Sequence, residues 1–163
     1  MRDSEDLDEG PPMHRNPQQR CTDARARLEH NANVWLATAS LEGTPHLIPL
    51  SLAWDGVHLL LATPTDSPTV NNALASGQVK ATLDSADDVV LIDGSVEVVD
   101  FDGADASMIA TYVNRVGWNP ADQDGAWSLL VVTPRTIRAW NGVGEIRGRT
   151  IMRGGRWSDD PLD

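Results

Sequence analysis

Residues 63–72, Thr-Pro-Thr-Asp-Ser-Pro-Thr-Val-Asn-Asn, are the stretch best equipped for chemistry. They follow an apolar, strand-like run and lead into a short, helix-like one. Ser67 suits an N-cap and Pro68 a first helical residue, so the first helical turn directs backbone N–H groups outward. Such groups, with the partial positive charge of a helix N-terminus, receive an anion, commonly a phosphate. Ser67 and Thr69 would hold it, with Thr63, Thr65 and Asn72 as neutral donors. A Ser-Pro cap also forms with no ligand at all, and both readings stay open on these residues alone. The stretch has one carboxylate, Asp66, and neither Lys nor Arg.

Other chemistries lack their residues. His14, His30, His46 and His58 are scattered without metal-ligand spacing. There is no Gly-x-Ser-x-Gly and no Cys–His arrangement for a nucleophile. Asp84, Asp87, Asp88 and Asp93 read as strand-end charge rather than a glycosidase pair. No Gly-x-Gly-x-x-Gly follows a strand and no Walker A run is present. No side chain is therefore assigned as catalytic or as a metal ligand.

The net charge is −11, from 24 acidic and 13 basic residues. This excludes general binding to nucleic acid or to an anionic membrane, which needs a basic footprint. Twelve of the basic residues are Arg and one is Lys80, and Arg147, Arg149, Arg153 and Arg156 crowd into ten positions. Six Trp supply large flat surfaces. No apolar run approaches the roughly 20 residues that span a bilayer. The first ten residues are acidic and lack the apolar region of a secretory signal. With a single cysteine, Cys21, this predicts a cytoplasmic protein.

The elements that must position these residues are mostly strands. Residues 1–16 are expected to be a disordered acidic tail, residues 17–157 one domain and residues 158–163 a second tail. A helix is predicted over 17–31, then strands over 34–40, 46–54 and 57–63. Asp55-Gly56 between the last two is a hairpin signal. A two-residue loop there pairs Trp54 with Val57, Leu52 with Leu59 and Leu50 with Leu61. One face is then Ile48, Leu50, Leu52, Trp54, Val57, Leu59 and Leu61, and reads as core. The other carries Pro49, Ser51, Ala53 and Ala62, extended by Ala37 and Ala39. A face of such small residues packs close to another backbone or leaves room for a flat ligand. A helix over 68–76 ending at Gly77 follows, then strands over 78–84 and 88–100 and a helix within 102–117. Strands over 127–134 and 136–140 close the series. The fold class is mainly β, an antiparallel barrel with peripheral helices.

The order of these segments, "VWLATASLEGTPHLIPLSLAWDGVHLLLAT", "DSPTVNNALASGQVKATL", "DVVLIDGSVEVV" and "WNP…LLVVTPRTIRAWNG…GRTIMRGGRW", resembles the pyridoxamine-phosphate-oxidase-like family of flavin-binding split β-barrels. The likeness is closest to its actinobacterial branch of flavin- and deazaflavin-dependent reductases. The resemblance implies a six-stranded antiparallel split barrel and a homodimer with cofactor sites across its interface. It implies oxidoreductase activity by hydride transfer with FMN, or alternatively the deazaflavin coenzyme F420. The ring would lie along Ile48, Pro49, Leu50 and Ser51. The phosphate would sit at Thr63, Ser67, Pro68 and Thr69, with Asn72 in the following helix. Trp140 would cover the ring from the other subunit, and Arg147 or Arg149 would reach the same site. Turn 117–120 would form part of a substrate pocket. Typical members carry a basic pair where this chain has Pro68 and Thr69. Each lost charge-assisted phosphate contact forfeits about 1.5–3 kcal/mol. The C-terminal arginines compensate, or the site holds a different ligand or none: the same fold then sequesters a flavin or another flat anion without catalysis, or persists as a structural dimer. The Arg-x-His ending of pyridoxamine-phosphate oxidase itself has no counterpart, so that activity is not expected.

Overall fold

The apolar runs all enter one antiparallel sheet, seen in a computed structural model that describes residues 14–160. Residues 1–13 and 161–163 of the tails expected at 1–16 and 158–163 lie outside the described residues. Helix α1 (Pro17–His30) starts at a capping box, in which Asn16 accepts from the Gln19 N–H and the Gln19 side chain accepts from the Asn16 N–H. Strand β1 (Asn33–Ala39) pairs with β2 (Pro45–Ser51). After Leu52 the chain continues as β3 (Ala53–Trp54), which pairs with β4 (Leu59–Pro64). Helix α2 (Pro68–Ser76) is capped by Ser67 and stops at Gly77, at φ 65°. Strands β5 (Gln78–Thr82) and β6 (Asp88–Asp100), helix α3 (Ala106–Val116) and the 15-residue β7 (Trp127–Asn141) follow. A last hairpin joins β8 (Thr150–Arg153) to β9 (Arg156–Trp157).

The strand order β2-β1-β5-β6-β7-β4-β3 explains the closure. Its two ends, β2 and β3, are consecutive in the chain and separated by Leu52 alone. The sheet therefore curls until its edges meet at that residue, and a split barrel results. Among the described residues there are nine strands where six or seven are predicted. The break at Leu52 and the unforeseen β8–β9 hairpin account for the increase, while β7 runs unbroken through the expected gap at Arg135.

The predicted hairpin forms with a different register. Trp54 faces Leu59 and Ala53 faces Leu60, across a turn of residues 55–58. The Asp55 carboxylate causes the longer turn: it accepts from the Val57 and His58 N–H groups at 2.8 and 2.6 Å and bonds the His58 ring at 2.9 Å. A slip of two residues preserves which face each side chain takes. Leu52, Leu59 and Leu61 are thus fully buried in the barrel, whereas Val57 is 58% exposed in the turn.

Two cores follow from the two sides of the sheet. Inside, Leu36, Ile92, Leu130 and Val132 meet Cys21, Ala24 and Leu28 of α1 and Val70 and Ala73 of α2. Outside, Tyr112 of α3 packs with Phe101, Leu60 and Leu129 over Ala53 and Ala62. The small-residue face therefore divides. Ala53 and Ala62 serve close packing, while Pro49 stays exposed and Ser51 half-exposed. Among the described residues no helix is long and apolar enough to cross a membrane.

Candidate functional site

The 63–72 turn satisfies much of its own polarity. The Ser67 hydroxyl accepts from the Val70 N–H at 3.3 Å and its carbonyl from the Asn71 N–H at 3.2 Å. Pro68 has no N–H, so Thr69 supplies the remaining backbone donor of the first helical turn. The Thr69 side chain is fully buried and its hydroxyl has no partner among the described residues. Thr69 therefore serves the turn through its backbone rather than its hydroxyl. Thr63 donates to the Ser67 hydroxyl at 3.4 Å, Thr65 bonds Ser128 at 2.9 Å, and the Asn72 amide donates to Thr38 at 3.1 Å. Beside the turn lies a hollow of about 450 Å³ lined by Pro64, Thr65, Asp66, Asp124, Gly125 and Ala126. Its two carboxylates oppose an anion. A neighbouring hollow of about 480 Å³ is lined in part by Pro120 and Trp127, which places the end of turn 117–120 on a cavity.

Strand β2 presents a free edge. Among the described residues it pairs only with β1, and the Leu52 N–H donates to the Ala32 carbonyl at 2.9 Å. By the alternation of an antiparallel ladder, Leu50 and Ile48 also turn their backbone groups toward β1. Pro49 and Ser51 then turn theirs outward. Pro49 is tolerated because its missing N–H falls on the unpaired side. Within 48–51 the edge offers the Pro49 and Ser51 carbonyls and the Ser51 N–H.

The register also defines a continuous outer face. Pro49 pairs with Trp35, Trp35 with Thr82, Thr82 with Leu91 and Leu91 with Arg138. Trp140, two residues after Arg138, lies on the same face opposite Val89. Trp35 is 43% and Leu47 60% exposed there. Asp93 sits among them, bonded to Lys80 and, at 2.7 Å, to Arg138. Burial pushes the Asp93 carboxyl up, but these two cations outweigh it and hold it below its usual range. Trp140 is four strands from β2, about 19 Å along the sheet at 4.8 Å per strand. The 63–72 turn follows β4, which pairs with β7, but Trp140 lies twelve residues beyond Ser128, the partner of Thr63, about 40 Å of extended strand away. A single chain thus holds Trp140 apart from both β2 and the turn.

Arg149 lies over the Trp140 ring at 5.3 Å from its centroid, and Arg147 is exposed. The loop that carries them is fastened from below. Glu145, with a side chain 3% exposed, accepts from the Arg15 backbone N–H at 2.7 Å, from the Arg15 guanidinium and from the Asn141 N–H at 2.7 Å. Burial pushes the Glu145 carboxyl up, but the bonds from Arg15 and Asn141 prevail and bring it down to about 2. Arg15 also pairs with Asp23 and Asp88, and its bond to Glu145 leads the causes that raise its pKa. Arg25 of α1 likewise pairs with Asp159 at 2.7 Å.

The sequence reading passed over Trp35, Leu47, Arg15, Arg20 and Glu145. Trp35 shares the alternation of Ala37 and Ala39, which was the available signal for the exposed face. Glu145 is a lone acid before a run of arginines, and nothing in its spacing indicates Arg15 as partner. Among the described residues no three His, Cys, Asp or Glu side chains are grouped to hold a metal ion.

Comparison with known proteins adds the lineage. The family model described as pyridoxamine 5'-phosphate oxidase matches residues 22–141. No curated protein matches the chain. Among solved structures, an F420 reductase is similar at 24% identity and a TM-score of 0.57, covering 69% of this chain and 94% of that one. A heme-binding protein from Mycobacterium smegmatis is similar at 19% identity and a TM-score of 0.66, covering 88% of this chain and 60% of that one. HutZ, the heme storage protein from Vibrio cholerae, is similar at 11% identity and a TM-score of 0.56, covering 74% and 92%. At these identities the likeness concerns the fold.

Proposed function

The chain belongs to the pyridoxamine 5'-phosphate oxidase family, and we propose that it is a homodimeric, flavin- or deazaflavin-dependent oxidoreductase. FMN is the first candidate cofactor and coenzyme F420 the alternative. The observation that carries this reading is the division of the candidate site into separate parts: Trp140 stands four strands from β2 along the sheet order and at the opposite end of β7 from the partner of Thr63, Ser128. A second copy docked on the uncovered outer face would set its Trp140, Arg147 and Arg149 opposite the β2 edge and the 63–72 turn. The apolar exposure of Trp35 and Leu47 supports such a partner.

The donor set fits a flat ring with an anionic tail. The Ser51 N–H and the Pro49 and Ser51 carbonyls would hold the ring edge beside Ile48 and Leu50, and Trp140 would cover it. The Thr69 N–H would donate to the phosphate, with Ser67 and Pro68 bounding it at the cap and Thr63 and Asn72 fixing the shape of the turn. The charge missing from the turn would come from Arg147 and Arg149 of the second copy. When bound, either cofactor itself supplies hydride transfer, which is consistent with a site built to bind and orient. A second reading is non-catalytic sequestration of a flavin or another flat anion by the same fold; the engaged donors of the turn and Asp66 and Asp124 beside it weigh equally against an anion held by one chain alone in either reading.

Titration with FMN and, separately, coenzyme F420, followed by ligand absorbance or fluorescence, tests the proposal. Micromolar or tighter binding is expected for one of them, with oxidation or reduction of the bound ligand by a reductant and an acceptor. Binding without turnover would favour sequestration, and failure of both ligands would refute the flavin reading. Replacing Arg147 and Arg149 together by Gln should abolish binding and leave thermal stability nearly unchanged.

A further inference from the structure

We infer that Arg20 of α1, supported by Arg15, is a positioning residue that holds loop 142–149 in the shape that presents Arg147 and Arg149. The inference rests on the reading above in taking those two arginines as ligand contacts. Arg20 is 5% exposed, and a side chain this polar is rarely buried without a task. One nitrogen, Nη1, donates both to the Glu145 carbonyl at 3.3 Å and to the Gly148 carbonyl at 3.0 Å. Gly148 lies between Arg147 and Arg149, so its carbonyl is a fixed point from which both side chains diverge. It sits at φ 76°, a conformation that L side chains rarely adopt, so the reversal there depends on glycine.

Two further ties complete the clasp. The Arg15–Glu145 contacts fix the short turn before the arginines, and the Ala139 N–H donates to the Arg149 carbonyl at 2.8 Å. The loop is thereby held at 145, 148 and 149, while Arg147 remains exposed and Arg149 rests on Trp140. The Arg20 Nε is buried with no hydrogen-bond partner among the described residues. Arg20 thus keeps an unsatisfied donor in place for the sake of Nη1, a cost that a purely packing residue would not carry.

Because one nitrogen makes both bonds, a lysine ammonium can replace it and a methionine cannot. In the full chain, Arg20→Met should speed native-state tryptic cleavage after Arg147 and Arg149 by at least about tenfold, a lower bound for losing two charge-assisted hydrogen bonds made by one nitrogen. It should weaken FMN binding by a similar factor, and Arg20→Lys should restore both. If Arg20→Met does not fold, Arg15→Ala, which releases Glu145 from the same loop, carries the same expectation. Unchanged cleavage and affinity in a folded Arg20→Met or Arg15→Ala variant would overturn the inference. Cleavage needs no ligand, so a wild-type protein that binds neither FMN nor F420 refutes the flavin reading while cleavage still decides the role of Arg20.

Discussion

Leu47→Asp should break the proposed dimer while leaving the subunit folded. Leu47 is 60% exposed in the single chain, directly opposite Ala37 and beside Trp35 on the uncovered face. Burying a whole leucine side chain contributes about 1.5–3 kcal/mol, so covering the exposed part contributes about 1–2 kcal/mol per copy. A two-fold interface counts each residue twice, which gives about 2–4 kcal/mol. At 1.4 kcal/mol per decade the dimer dissociation constant should rise about 30- to 700-fold. The desolvation of two carboxylates adds to that figure, which makes it a lower bound. Sedimentation velocity across a dilution series reads the change directly, with circular dichroism as the check on folding. Val57→Asp is the control, because Val57 is equally exposed but sits in the 55–58 turn, off the face. A Leu47→Asp protein that dimerises like the wild type would refute the assignment of the face. So would a wild type that is monomeric at every concentration.

Two predictions concern the single chain. A Cβ at Gly94 would lie 2.8 Å from Val132 Cγ1 and 2.9 Å from the Thr133 carbonyl, at the point where the β6–β7 register shifts. Gly94→Ala should therefore destabilise by about 1–3 kcal/mol in urea unfolding, and no change would mean that β7 yields freely. Glu145 is held at about 2, below its ordinary 4.5, so its contribution is complete above pH 4.5 and is lost as pH falls toward 2. That shift corresponds to about 3 kcal/mol. Glu145→Gln should be less stable than wild type by that order at pH 7, with the gap closing in acid; an equal gap at both pH values would contradict the ion-pair account.

Local signals carried much of the fold. Ser67-Pro68 and Gly77 bracket α2 at the predicted residues, and the alternation in β4 selected Leu59 and Leu61 for the interior. Asp55-Gly56 located the hairpin but not its register, because the Asp55 carboxylate bonds of the turn are invisible to a pattern of apolar residues. The β8–β9 hairpin was hidden by its charge: Arg153-Gly154-Gly155-Arg156 reads as a basic cluster, although two glycines at positive φ make a tight turn. Pieces of the site were legible as residue types. Their separation was not, because the distance between β2 and Trp140 depends on β5 and β6 entering the sheet between β1 and β7. The clasp at Glu145 joins residues 130 apart in sequence, and no periodicity reports a contact of that range.

An anion site whose cations come from a second copy has a thermodynamic consequence. The chain carries a net charge of −11, and Asp66 and Asp124 flank the turn, so an isolated subunit offers an anion backbone donors in a negative surround. Two charge-assisted bonds from Arg147 and Arg149 are worth about 3–6 kcal/mol together, or two to four decades of affinity. If the second copy supplies them, ligand binding and dimerisation are coupled, and each strengthens the other by the same factor. Leu47→Asp, which changes no residue assigned to the ligand, should then weaken FMN or F420 binding by up to those two to four decades. Saturating ligand should in turn draw the wild-type subunits together in the centrifuge. A folded, monomeric Leu47→Asp that binds ligand as tightly as the wild-type dimer would show that one subunit holds the anion alone, and the arginines of loop 142–149 would need another role.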